Sequence, residues 1–246
     1  MTTTVSIAAG TMRAARRVVR SRFYVGLSAF MAGIVVVGFW PTYFGPMLRG
    51  DITRAAVIQA HGLIFVGWMA LLMAQVILAA RGRVPLHRKV GRYGIAYGWL
   101  VIAMGLVVGP AAGAMHVRAG EWTADRAAGF LLVTFGDMVL FGACFVAAVA
   151  YRTRPEIHKR LMVAATVALL FAAIGRMAFI PSPLLATAVW LSPLLIGMVH
   201  DWITSRRVHP VYIITTIGLF LGATRILFEQ SELVLRLTRP LIDALL

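Results

Sequence analysis

Seven apolar runs, each long enough to cross a bilayer as a helix, follow one another along this chain, and short polar loops separate them. A hydrocarbon core ~30 Å thick takes about 20 apolar residues at ~1.5 Å rise per residue. Within it, every backbone N–H and C=O must be satisfied internally, which leaves helices or closed barrels. Continuous apolar runs without alternation are helices. The runs lie at about 23–45, 55–80, 92–114, 127–151, 159–180, 183–203 and 210–229. The predicted fold is all-α, a polytopic membrane bundle of seven transmembrane helices forming one domain over 23–229. Residues 1–22 make a basic N-terminal segment. Residues 230–246 make a tail with Leu233, Val234 and Leu237 on one side and Pro240 as a break, which reads as interfacial.

The first run is too long for a signal-peptide core and lacks a clear small-residue cleavage site, so it reads as a retained span. A net charge of +15 would suit a nucleic-acid partner if the basic residues shared one solvated face. They cluster instead in short loops between spans. That pattern excludes nucleic acid and makes the partner a bilayer, with anionic headgroups at the cytoplasmic loops. The N-terminal segment and the loops after helices 2, 4 and 6 hold 16 of the 24 Lys and Arg. The other loops and the tail hold 6, and Arg176 and Arg225 fall inside spans. The positive-inside rule predicts a cytoplasmic N-terminus and an external C-terminus, in a bacterial plasma (inner) membrane. Cys144 is the single cysteine, so the chain has no internal disulfide and no cysteine metal motif.

Helix 2 carries His61, Trp68 and Gln75 seven residues apart, on one face. The stripe rises roughly 21 Å, too long to face lipid cheaply. It predicts that helix 2 is central and turns this face to protein. Helix 3 is rich in glycine (Gly94, Gly98, Gly105, Gly109), which permits close helix approach. A weak repeat, LHRKVG, IHKRLM and VHPVYI, sets a histidine at the start of helices 3, 5 and 7.

The HG opening of helix 2 (His61, Gly62), Gln75, LHRKVG from Leu86 to Gly91, and HKRLM from His158 to Met162 together resemble a group of uncharacterised bacterial multi-pass membrane proteins. That group carries an HG…LHRxxG…HKRLM pattern. The resemblance covers residues 23–229 and implies the fold; it brings no activity with it.

Several constellations carry chemistry. His87, His158, His200 and His209 share the cytoplasmic side, with Glu156 and Asp201 nearby, and imidazoles with carboxylates can hold Zn or Fe. Histidines at membrane boundaries also meet headgroups and loop backbone, and no HxxxH or HExxH spacing is present. A haem needs two histidines on facing helices; His61 lies in a span, whereas its counterpart His116 sits in a loop. The 12 Met and 10% aromatics read as packing. Towards the outer side lie His61, Arg176 and Arg225, with Asp137 near the midplane. Either arginine can snorkel outward, and Glu229 stands one turn after Arg225 as a partner. Asp137 cannot snorkel and requires a partner or a proton. The spacing predicts that Arg176, Arg225 or His61 holds it, with spare positive charge open to an anion.

Three functions compete. The leading one is a buried polar site, lined by His61, Gln75, Asp137, Arg176 and Arg225, that binds a small ligand, ion or cofactor. The second is a metal- or haem-dependent enzyme, redox or hydrolytic, using the cytoplasmic histidines. Its architecture matches the zinc-dependent ceramidase and adiponectin-receptor class, but the helix 7 HxxxH of that class is missing. The third is a non-catalytic accessory subunit whose polar residues serve helix association.

Overall fold

The computed structural model describes residues 22–51 and 54–246, which form helices and short turns with no strand among them. Among the described residues, seven helices are long and apolar enough to cross a membrane: α1 (Arg22–Leu48), α2 (Ala56–Ala80), α3 (Val84–Arg118), α4 (Ala124–Ala150), α5 (Pro155–Ile174), α6 (Pro183–Ser205) and α7. The last is α-helical over Pro210–Ala223 and tightens to a 3-10 turn over Thr224–Phe228. A short eighth helix, α8 (Glu232–Asp243), follows. Proline stands in the first turn of α3, α5, α6 and α7, where its missing N–H has no intrahelical partner to lose. Side chains cap three starts: Thr123 accepts from Arg126 N–H at 3.2 Å, Ser182 from Leu185 N–H at 3.3 Å, and His209 Nδ1 from Val211 N–H at 3.3 Å.

Short connections make consecutive long helices antiparallel, so the bundle has two ends. The loops after α2, α4 and α6 lie at the basic end; those after α1, α3 and α5 lie at the opposite end. Residues 1–21, which contain most of the N-terminal arginines, and residues 52–53 lie outside the described residues.

The centre of the bundle is α5 rather than α2. Eleven of the twenty residues of α5 are buried, against Trp68 and Leu72 alone in α2. The reason lies in side-chain size. Ala164, Ala165, Ala168 and Ala173 give α5 a narrow waist that neighbours can approach from several sides. Gly38 of α1 sits directly against the Ala173 backbone, and α4, α6 and α7 all pack on α5. The α2 stripe still meets protein: Trp68 is 2% exposed, donates its indole N–H to Thr166 on α5 at 3.3 Å, and meets Phe141 and Phe145 edge-on.

Helix α3 packs on α4 through its glycines. A Cβ at Gly98 would overlap the Phe145 ring, and one at Gly105 would overlap Met138. Helix α8 folds back on α4, burying Ile242 over Ala127, Ala128 and Leu131. Arg239 joins it to Asp125 of α4. Leu233, Leu237 and Leu241 are left exposed along one side of α8.

Two boundaries differ from the hydropathy reading. Helix α1 runs on to Leu48 through a π-helical turn at Trp40–Phe44, where the Gly45 N–H reaches back to the Trp40 carbonyl. Pro41 and Pro46 cannot donate and crowd the preceding turn, and a widened turn accommodates them. Helix α5 ends at Ile174 instead of near 180. Gly175 closes it, and Pro181 and Pro183 oppose any extension. Arg176 therefore lies in a turn beyond the span, not inside it.

Candidate polar sites at the two ends of the bundle

At the basic end, four helices converge on Arg160. Its guanidinium is 4% exposed and forks onto Asp201 of α6, with Nε–Oδ2 at 3.0 Å and Nη2–Oδ1 at 2.6 Å. Nη1 donates to the Glu156 carboxylate at 2.8 Å and to the Glu156 carbonyl at 2.6 Å. Glu156 also accepts from Lys159 at 2.8 Å. Asp201 Oδ2 accepts the His209 backbone N–H at 3.2 Å, which fixes the start of α7. The Arg160 plane lies over the Tyr212 ring, and the Tyr212 and Tyr24 hydroxyls are 3.3 Å apart. Gly197 on α6 leaves the space that the Tyr212 ring fills. Two acids face two cations here, so the cluster is neutral and its hydrogen bonds are internal.

The four basic-end histidines go to separate tasks. His87 Nδ1 meets the Gln75 carbonyl at 3.2 Å, and His158 Nδ1 meets the Ala148 carbonyl at 2.8 Å. Their rings stand 6.5 Å apart, edge to face. His200 stacks on Phe23 of α1 at 3.7 Å. His209 caps α7. Among the described residues no three His, Cys, Asp or Glu side chains gather as a metal ion requires. His116 lies in the last turn of α3 and not in a loop, where it pairs with Glu121 at 2.5 Å and stacks on Trp122. Gln75 bridges α2 to α3: with its amide turned so that both ends are satisfied, the oxygen accepts from Gly91 N–H at 3.0 Å and the nitrogen donates to the His87 carbonyl at 3.1 Å. These contacts join α2 to α3 at the basic end, and Asp137 is not among the partners of Gln75.

The cap on α7 has a pH consequence. A cap through Nδ1 requires a neutral ring. Burial, then the Arg160 charge, holds the His209 pKa below its usual 6.5. A depressed histidine pKa means the unfolded chain binds the proton more readily. The stabilisation is complete above about pH 6.5 and is lost as pH falls toward the folded value. The thermal midpoint in detergent is expected to fall between pH 7.5 and 5.5. His209→Asn, which caps without titrating, should shrink that fall; an unchanged pH dependence would remove His209 as its source.

Inside the bundle, Asp137 is 7% exposed and its carboxylate pairs with Arg225 at the end of α7. Arg225 also donates to the Val133 carbonyl at 3.1 Å and to the Gly222 carbonyl at 2.6 Å. Its side chain crosses α4 over Gly136, where a Cβ would collide with it, and rests above Phe171. Of the three candidates from sequence, Arg225 holds Asp137. Glu229 is not the partner of Arg225; the 3-10 tightening of the chain turns Arg225 into the bundle.

Arg176 is left over. It is exposed, with Nη1 donating to the Ala172 carbonyl at 2.7 Å and its guanidinium 4.7 Å above the Phe39 ring. No carboxylate lies within ion-pair reach among the described residues. Arg54 carries a second positive charge at this end of the bundle, and His61 lies in the second turn of α2, which starts there. His61 Nδ1 is buried without a hydrogen-bond partner among the described residues, and its ring rests against Phe65. Beside Arg176 opens a groove of about 500 Å³ between the π turn of α1 and the turn after α5. Val36, Val37, Trp40, Pro41, Ala178 and Phe179 line it.

Tyr24 and Tyr212 did not stand out in the sequence, and Arg160 entered there only as part of the HKRLM motif and as a loop cation, with no role of its own. The signals that could have singled it out are Glu156 four residues earlier and Asp201, an acid inside an apolar run. Comparison of the chain with protein-family models, with curated proteins and with solved structures finds no match.

Proposed function

We propose that this chain is a multi-pass protein of a bacterial inner membrane, N-terminus in the cytoplasm and C-terminus outside, that binds a small phosphate-type anion on its outer side at Arg176. The HG…LHRxxG…HKRLM pattern supports the bacterial membrane group. The 16 to 6 division of basic residues supports the orientation. The observation that carries the binding role is the state of the arginines. Arg160 and Arg225 are each matched by an acid. Arg176 has none among the described residues, and a guanidinium with five N–H donors spends one of them on Ala172. Planar, bidentate donors of this kind fit phosphate and carboxylate. The polar residues of the interior serve to join helices, and the binding role falls to the end of the bundle.

The test is calorimetric titration of purified protein with inorganic phosphate. Arg176→Gln is expected to weaken binding roughly tenfold, the worth of one charge-assisted contact. Binding that survives the substitution unchanged refutes the site. A reporter fused after Leu246 that works only in the cytoplasm refutes the orientation.

A further inference from the structure

Resting on that reading, we infer that the physiological ligand is an anionic phospholipid of the outer leaflet, its headgroup on Arg176 and one acyl chain in the groove beside it. Three features favour a lipid over a free anion. The groove walls are apolar: Val36, Val37, Trp40, Ala178 and Phe179, with Phe179 71% exposed. Four of the lining residues, Val36, Val37, Trp40 and Pro41, belong to α1, a helix long and apolar enough to cross a membrane, so a bilayer around that helix would bring acyl chains to the groove. Arg176 stands two residues beyond the end of α5, at the depth where headgroups begin, and Trp40 beside it is an interfacial anchor residue. A soluble anion would need the guanidinium alone. The groove adds a shaped place for a chain.

The two parts do different work. Lipid tails are as apolar as the groove, so a chain gains there by van der Waals packing against the walls, which holds the lipid through extraction, and not by leaving water. Preference for this lipid comes from the headgroup contact, and the groove sets its direction of entry and its chain geometry. The groove exists because Pro41 and Pro46 widen α1 into a π turn while Gly38 pulls the same helix against Ala173 one turn earlier. Close approach below and widening above leave the wedge of space between them.

The experiment reconstitutes the whole protein in vesicles of phosphatidylcholine with roughly 20% phosphatidylglycerol, a surplus of anionic headgroups. After extraction, retained lipid is read by native mass spectrometry, and phosphate titration runs in parallel. Wild type should retain phosphatidylglycerol over phosphatidylcholine. Arg176→Gln should lose about tenfold of that preference and of phosphate binding together. Val37→Trp, which fills the groove from a lipid-facing position, should lose retention yet keep phosphate binding; Val36→Trp repeats the test from the neighbouring wall. Equal retention by wild type and both groove-filled variants overturns the lipid assignment while leaving the anion site. Loss of neither lipid nor phosphate in Arg176→Gln overturns the anion site itself.

Discussion

Asp201→Ala is expected to be among the most destabilising single substitutions in the chain, by about 3–5 kcal/mol, the range for removing one partner of a buried ion pair. The carboxylate accepts three hydrogen bonds, two from Arg160 and one from the His209 backbone N–H. With it gone, Arg160 keeps Glu156 but loses the fork that holds it inside. The start of α7 loses its acceptor. Arg160 cannot shed its charge. Asp201→Asn should be milder, since an amide oxygen still accepts. Arg160→Met with Asp201→Leu should recover much of the loss, because apolar replacement of a whole buried pair is often neutral. The measurements are the monodisperse yield and the thermal midpoint in detergent. Wild-type stability in Asp201→Ala would show that the cluster is ornamental to the fold.

Why this cluster escapes a reading of the sequence, while the spans do not, is a matter of range. Transfer of an apolar run out of water is a local property, so each of the seven spans is visible in its own residues. The pairing of Arg160 with Asp201 joins positions 41 residues apart and depends on which faces α5 and α6 present to each other. The glycines of α3 announced close packing, and Gly98 against Phe145 delivers it. The stripe on α2 announced contact with protein, and Trp68 makes it, but the centre went to α5 because alanine, not polarity, decides which helix can be surrounded. Asp137 announced that it needed a partner. That the partner is Arg225 rather than Arg176 follows from the 3-10 turn at Thr224–Phe228 and from the early end of α5, neither of which hydropathy resolves.

Breaking the Asp137–Arg225 pair from either side is expected to cost about 2–4 kcal/mol, less than a charge stranded at the bilayer centre would, because each group has an escape. Freed Arg225 sits in the last turn of its span and can snorkel toward the headgroups, giving up Val133. Freed Asp137 lies too deep for that and must take up a proton. The two single variants, Asp137→Leu and Arg225→Leu, should both lower folding yield. The double variant should recover, with a coupling of about 2 kcal/mol in a double-mutant cycle. Recovery of the fold lets the double variant be tested for binding, and binding then separates a structural pair from a ligand site. If the pair serves only to join α4 to α7, the apolar double variant regains its thermal midpoint and keeps phosphate binding at Arg176. If Asp137 and Arg225 themselves take part in binding, the double variant folds but no longer binds. Gly136 sharpens the test: Gly136→Ala leaves both charges in place and only obstructs the path of Arg225 across α4. A loss of stability there similar to that of Arg225→Leu would tie the energy to the geometry of the pair, and full stability would mean that the arginine finds its acid by another route.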